Sequence, residues 1–196
     1  MKTFGKVLGL LLLMTNMAVA QVNWSVDPAH TNVRFEVSHL GIAFVDGEFT
    51  KLEGKVETVN ETDFNNGKVD FSIDVASIDT RVEMRDDHLR SDDFFNAEKY
   101  PTITLKNGVL KKGDNGKLTL EGDLTIRDVT KKVAFDVVQN NGIITDPWGG
   151  TRAGFTAKLK INRFDYNINY ADKLPSGVFA VAPDIYITVN AEVVKQ

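Results

Sequence analysis

The stretch KVDFSIDVAS, residues 68–77, alternates between apolar and polar side chains. Its apolar residues, from Val69 to Val75, occupy every second position, and aspartate or serine stands between them. Successive side chains of a β-strand point to opposite faces of a sheet. The stretch therefore predicts a strand with one face in an apolar interior and the other in water.

The same two-residue period recurs along most of the chain. Five further stretches show it clearly: NVRFEVSH (32–39), KLTLEGDLTI (117–126), KVAFDVV (132–138), GFTAKLKIN (154–162) and DIYITVNAEVV (184–194). Two weaker ones are EFTKLEGKVETV (48–59) and TITLKNGVL (102–110). Turn-forming residues separate the stretches at NNG (65–67), KGDNG (112–116), NNG (140–142) and PWGG (147–150). About eight amphipathic strands with short connections predict an all-β fold, either a closed antiparallel barrel or a sandwich.

One stretch, RVEMRDDHLRSDDFFNAEK (81–99), breaks this period. It is rich in charge, and its apolar members, such as Leu89 and Phe94, do not alternate with polar residues. We expect a short helical insertion near residues 81–96 that lies between two strands as a lid or plug. Tyr100-Pro101 then favours extended backbone and the start of the next strand.

Residues 1–20 have the pattern of a secretory signal peptide. Lys2 and Lys6 precede and flank an apolar run, and Ala18-Val19-Ala20 forms a small-residue cleavage site. The alternative is an uncleaved anchor, but the run is too short to span a bilayer. We therefore expect an exported protein whose mature part, residues 21–196, is a single domain.

Charge and composition exclude several classes of partner and site. Removal of the signal peptide changes the formal net charge from −4 to −6, which disfavours nucleic acid and anionic membrane surfaces as partners. The chain has no cysteine, which rules out disulfides, thiolate zinc sites and thiol nucleophiles.

The residues that could carry chemistry do not form a recognisable catalytic motif. A metal-dependent hydrolase would require His39, His88 and nearby aspartates such as Asp87 to converge, yet their spacing is unlike that of a ligand cluster. Nothing in the sequence buries the aspartates at 86–87 and 92–93, so they are poor proton donors near neutral pH. No G-x-S-x-G, G-x-G-x-x-G or P-loop is present. We expect no catalytic residue, no metal and no cofactor.

Several stretches together resemble the YceI-like family. They are WSVDPAHTNVRFEVSHLGI (24–42), VDGEFTKLEGKV (45–56), IDTRVEMRDDHLRSDDFFNAEKYPTITL (78–105), GDLTIRDVTKKVAF (122–135) and DPWGGTRAGFTAKLKINRFDY (146–166). The most specific part is DDHLRSDDFF (86–95) followed by YPTI (100–103). The resemblance extends over essentially the whole of residues 21–196.

The resemblance implies a fold, a location and a ligand. The fold is an eight-stranded antiparallel lipocalin-like barrel, and the location is the bacterial periplasm. The ligand is a long apolar chain such as a polyisoprenoid, a quinone tail or a fatty-acid derivative, held in the interior without catalysis. A homodimer and transient contact with a membrane or membrane protein remain open. The alternative functions are a barrel filled by its own side chains, acting as a stress-related interaction protein, and the metal-dependent hydrolase.

Strand alternation and the insertion together give a set of candidate ligand-binding residues. These are Phe35, Val37, His39, Phe49, Phe71, Ile73, Leu89, Phe94, Ile103, Leu105, Phe135, Phe155 and Leu159.

Two stretches depart from the family pattern. VDGEF (45–49) carries Asp46 and Glu48 where a basic residue is usual, and VFAVAPDIYI (178–187) replaces the common V-G-D-E-V ending. If they frame the mouth of the interior, the carboxylates would disfavour an anionic head group there.

Overall fold

Eleven strands and one α-helix make up the computed structural model, which describes residues 21–114 and 116–196. The predicted signal peptide lies outside the described residues. The strands are β1 (Val22–Val26), β2 (Asn32–His39), β3 (Ala43–Phe49), β4 (Leu52–Thr58), β5 (Lys68–Asp74), β6 (Ile78–Asp79), β7 (Thr102–Lys112), β8 (Leu118–Ile126), β9 (Val129–Thr145), β10 (Thr151–Asn162) and β11 (Val181–Lys195). The helix is α1 (Glu83–Arg90), and two 3-10 turns cover Val75–Ser77 and Arg163–Tyr166.

The strands form a closed barrel with eight positions in its wall. β1, β4, β5, β7, β8, β9, β10 and β11 follow one another around the wall, and antiparallel pairing of β1 with β11 closes the ring. β2, β3 and β6 continue β1, β4 and β5 in space, because β11 pairs with both β1 and β2, and β3 pairs with β2 and β6. The predicted eight-stranded antiparallel barrel is confirmed. The helical insertion is also confirmed, as α1 and the turns that follow it.

Local side-chain hydrogen bonds explain why three of the eight strands are interrupted. Asp27 accepts from the backbone N–H of Ala29, and Asp74 accepts from that of Ala76, so each aspartate turns the chain where a strand would otherwise continue. At the break between β3 and β4, the N–H of Lys51 donates to Oγ of Ser77. The predicted strand at residues 48–59 is therefore two strands, whose break lies beside the break between β5 and β6.

The NNG at residues 140–142 is not the predicted separator between strands. β9 continues through it to Thr145, and its pairing with β10 shifts register between Ala153 and Gly154. Asn141 and Gly142 both have positive φ, of 51° and 74°. These two residues thus form a β-bulge within a long strand, and the chain reverses only at residues 146–150.

Aromatic side chains seal one end of the barrel. Phe64, in the connection between β4 and β5, packs between Trp24 and Phe155, with ring centroids 4.9 and 4.8 Å away. Trp24 is fully buried and donates its indole N–H to Oγ1 of Thr58 at 3.0 Å. The interior is therefore solidly packed at this end.

We expect Phe64→Ala to lower the free energy of unfolding by about 3–5 kcal/mol, because it opens a cavity inside the sealed end. Phe44→Ala, at an exposed phenylalanine, should change it by less than about 0.5 kcal/mol. Urea unfolding monitored by tryptophan fluorescence measures both. Similar losses in the two variants would mean that Phe64 does not hold this end together.

Candidate ligand-binding site

A cavity of about 200 Å³ occupies the barrel interior. Side chains from β1 to β5 and from β7 to β11 contribute to its wall, and the surface that they present to it is apolar. Arg34 and Arg163 also adjoin the cavity, but through their apolar atoms. A concave, apolar and largely preformed space of this kind is typical of a site for a hydrophobic ligand.

The burial pattern shows that the space is not filled by the barrel's own side chains. Phe35, Phe71, Ile187 and Val189 face the interior, yet each is only partly buried because part of its surface borders the cavity. Phe135, also in the wall, is buried. The lumen is therefore hollow beside β2, β5 and β11.

The structure brings most of the candidate residues together around this cavity. Those that line it are Phe35, Val37, Phe49, Phe71, Ile73, Leu89, Phe94, Ile103, Leu105, Phe135 and Phe155. His39 shares the alternation of Val37, but it lies at the end of β2 with an exposed side chain. Leu159 is partly buried and packs against the core without reaching the cavity.

Several lining residues were missing from the candidate set. The largest group is on β11, from Val181 to Val193, and its alternation was visible in DIYITVNAEVV. Phe95, Ile168 and Arg163 could not be found in this way, because they lie outside the regular strands.

The two stretches that depart from the family pattern have different positions. Val181 and Ile185 line the cavity, so the unusual VFAVAPDIYI segment shapes the wall. Asp46 and Glu48 alternate with the interior-facing Phe49 and are not part of the lining. They pair across strands with Glu36 and Arg34 on the outer face. The carboxylates therefore do not oppose an anionic head group inside the barrel.

Residues 81–97, hereafter the lid segment, cover the end of the barrel opposite Phe64. Leu89, Phe94 and Phe95 form its underside and line the cavity. Ring contacts extend the packing, with Phe95 5.7 Å from Phe49 and Phe94 4.9 Å from Tyr170. The apolar members of the insertion thus complete the cavity wall at this end.

Polar contacts fasten the lid segment to residues 76–80, which include β6. The Arg90 guanidinium donates to the carbonyls of Ala76 and Ile78 at 2.9 and 3.0 Å. Asp86 accepts from the backbone N–H of Thr80 at 2.8 Å and from its hydroxyl. Asp86 is only 6% exposed, contrary to the expectation that nothing buries it, and these donors replace water around its carboxylate.

Arg127 holds the other side of the lid segment. It lies in the two-residue turn between β8 and β9, and its NH1 group donates to the carbonyls of Phe94 and Asn167 at 2.8 and 2.9 Å. Its guanidinium also lies 5.4 Å from the ring centroid of Tyr100. One side chain therefore ties together the lid segment, the turn at residues 127–128 and the chain after β10.

Arg163 organises the connection between β10 and β11. Its guanidinium is buried and donates to the carbonyls of Ile168, Val181 and Ala182 at 2.8 to 3.0 Å. Burial lowers the pKa of Arg163 from its usual value. These bonds satisfy backbone carbonyls where the chain crosses the lid end of the barrel. The bond to the carbonyl of Ile168 also holds that residue in the cavity wall.

The histidines do not assemble the alternative metal site. His88 lies in α1 beside Asp93, at 2.9 Å, whereas His39 ends β2. Among the described residues, the group that could share an ion is Asp27, His30 and Glu192. Arg152 already donates to both of these carboxylates, so the group is an ion-pair network around a guanidinium.

This network sets the pKa of Asp27. Hydrogen bonds from His30 and then from Arg152 stabilise the carboxylate and lower its pKa to about 2. Because the pKa in the folded state is depressed, the network stabilises the fold above the unfolded-state pKa of about 4. That contribution is lost as the pH falls from about 4 to about 2.

We expect Arg152→Gln to raise the pKa of Asp27 toward its ordinary value, as measured by NMR titration of the carboxyl carbon. The difference in unfolding free energy between wild type and variant should shrink as the pH falls below about 4. Lys132→Gln, at an exposed lysine, is the control. An unchanged Asp27 pKa in Arg152→Gln would contradict the contribution assigned to Arg152.

Comparison with known proteins agrees with this geometry. The model of the YceI-like domain matches residues 24–193, which is most of the chain. The chain belongs to the YceI-like family. Protein YceI of Escherichia coli O157:H7 is 39% identical to this YceI-like protein over 182 residues, covering 92% of this chain and 91% of the relative.

Solved structures show the same barrel. The YceI protein of Campylobacter jejuni has a TM-score of 0.66 and 30% identity, and the match covers 81% of this chain and 90% of that one. A polyisoprenoid binding domain from Saccharophagus degradans has a TM-score of 0.64 over 88% of this chain and 98% of its own. At 14% identity, that second likeness concerns the fold alone.

Within residues 21–114 and 116–196, no helix combines the length and the apolar character needed to cross a membrane.

Proposed function

We propose that this YceI-like protein is a non-catalytic periplasmic carrier that holds one long apolar chain in its barrel. The observation that carries the proposal is the hollow, wholly apolar cavity behind a lid segment. The chain would be a polyisoprenoid, a quinone tail or a fatty-acid derivative. Family membership supports this ligand class, a domain of the same fold in Saccharophagus degradans is a polyisoprenoid binding domain, and the sequence of residues 1–20 supports export.

The energy of binding would come from the tail. Each methylene transferred from water into the cavity contributes about 0.8 kcal/mol, and part of this gain offsets the ordering of the chain. Because the lining offers no polar surface, it would hold chains of different chemistry with little discrimination by hydrogen bonding. Selection among ligands would then depend on the width and length of the cavity and on groups at its entrance.

The difference between the two ends of the barrel supports one direction of entry for the ligand. Trp24, Phe64 and Phe155 fill one end, whereas the lid segment covers the other through bonds near its margins. The apolar chain would therefore enter at the lid end and leave its head group there.

The lid end would also meet the membrane that supplies the chain. Ile42 and Met84 are 85% and 82% exposed, and both belong to segments at this end of the barrel. Transient contact of these residues with a membrane would shorten the path of the chain through water. A homodimer stays a prediction from the family resemblance.

Lipid extraction and mass spectrometry of protein purified from the periplasm test the carrier role. We expect a long-chain lipid in the wild type and its loss in Ile187→Asp, because a carboxylate in the cavity opposes an apolar chain. Thr188→Asp is the matched control on the outer face, where Arg34 and Lys158 pair with residue 188. A wild-type protein free of lipid, or equal lipid in both variants, would contradict the carrier role.

Weakening the lid should speed ligand exchange. We expect Arg127→Met to raise the release rate of a bound fluorescent fatty acid about tenfold, because it removes charged hydrogen bonds to the lid segment. Stopped-flow fluorescence measures the rate, and faster hydrogen exchange confined to residues 91–97 locates the effect. Lys132→Met serves as the control. An unchanged release rate would show that the ligand does not pass this end.

A further inference from the structure

The barrel wall contains two glycines that each face a phenylalanine on a neighbouring strand. Gly47 on β3 pairs directly with Phe35 on β2, and Gly54 on β4 pairs directly with Phe71 on β5. Both phenylalanines line the cavity and are only partly buried. Both glycines lie in the part of the wall that β3 and β4 form. Phe35 reaches Gly47 from β2 on one side, and Phe71 reaches Gly54 from β5 on the other.

Each phenylalanine ring occupies the place that a glycine leaves free. A Cβ atom at Gly47 would lie 2.7 Å from Cε1 of Phe35 and 2.8 Å from Cγ2 of Thr80. A Cβ atom at Gly54 would lie 2.7 Å from Cδ2 of Phe71 and 2.9 Å from Cγ2 of Val26. These distances are shorter than any tolerated carbon–carbon contact. The rings therefore lie across the neighbouring strand, against the wall.

This placement controls the free width of the lumen. Gly47 and Gly54 pair with β2 and β5, and the adjacent residues Glu48 and Lys55 pair with β6 and β1, so the backbone here is held from both sides. Any side chain added there would displace the ring, because the ring can rotate about its own bonds and the backbone cannot move as easily. The displaced ring would turn toward the cavity, which is the empty side.

We propose that Gly47 and Gly54 set the width of the cavity and thereby admit a methyl-branched chain. The inference rests on the carrier function proposed above and assigns specificity within it. A methyl-branched chain is wider than a straight one of equal length, so loss of width affects it first. Glycine at a strand position that another group approaches closely has a packing role of this kind.

The test compares geranylgeraniol with hexadecanol, which share a main-chain length and a hydroxyl head group. Their affinities are measured by displacement of a fluorescent fatty acid from the purified protein. We expect Gly47→Ala and Gly54→Ala each to lower the affinity for geranylgeraniol about tenfold relative to that for hexadecanol, because a narrower cavity excludes the wider chain first. The control is Gly154→Ala in β10, where the nearest atom to an added Cβ is 3.6 Å away.

A second substitution separates width from a folding defect. Phe35→Leu in the Gly47→Ala background should restore the ratio of the two affinities, because the smaller side chain leaves the lumen free again. An unchanged ratio in both single variants would overturn the inference, and so would an equal loss of both alcohols. If the wild type binds neither alcohol nor the fatty acid, the carrier function itself fails, and the inference with it.

Discussion

Pairing of β11 with β10 on one side and with the interrupted strand β1–β2 on the other closes the wall on which the rest of the structure depends. A closed ring leaves the backbone N–H and C=O groups of the wall bonded to neighbours on both sides. It also turns every inward face toward one shared space. A sandwich would press two such faces together and fill the space between them, whereas a barrel of this size can keep its centre empty.

Because the centre of the barrel is hollow, side-chain packing stabilises the fold mainly within the wall and at one end. Trp24, Phe64 and Phe155 form a dense aromatic group, while Ile187 and Val189 on β11 face the cavity with surface uncovered. Side chains at an empty space lack the dispersion contacts that a filled core supplies. A bound chain would supply those contacts to the folded state alone, so binding and stability would be coupled.

Sequence periodicity predicted the wall because burial on one face imposes it directly. It predicted which residues face inward on β5 and β7, such as Ile73 and Leu105, and it placed the helical insertion. It did not predict the strand breaks. These depend on bonds between segments distant in sequence, such as the one that the backbone N–H of Lys51 donates to the hydroxyl of Ser77. NNG at 140–142 was misinterpreted for a related reason: the same residues form turns and bulges, and only the partner strand decides which.

The cavity itself could not be derived from alternation, because an inward residue looks the same whether it packs or borders empty space. Whether an inward residue packs or borders the cavity depends on the side chains around it in the fold, as with the ring of Phe35, which lies over Gly47 on the adjacent strand. Leu159 shows the converse case, with inward parity and contact with the core but not the cavity. His39 continues the alternation of β2 to a point where the strand is already exposed.

The contacts of the lid segment differ from those of the wall in a way that suits an exchangeable cover. Its margins are held by arginine bonds to backbone carbonyls, from Arg90 on one side and Arg127 on the other. When such bonds break, bonds to water replace them, so the net free energy needed to break them is small. The underside, with Leu89 and Phe94, is apolar, and a chain sliding beneath it would keep that surface covered while the margins open. The eight strands of the closed ring cannot open in this way, because each is hydrogen-bonded to a neighbour on both sides and moving one would break a whole ladder of bonds. Opening for a ligand would therefore be confined to the part of the lid segment whose bonds water can replace.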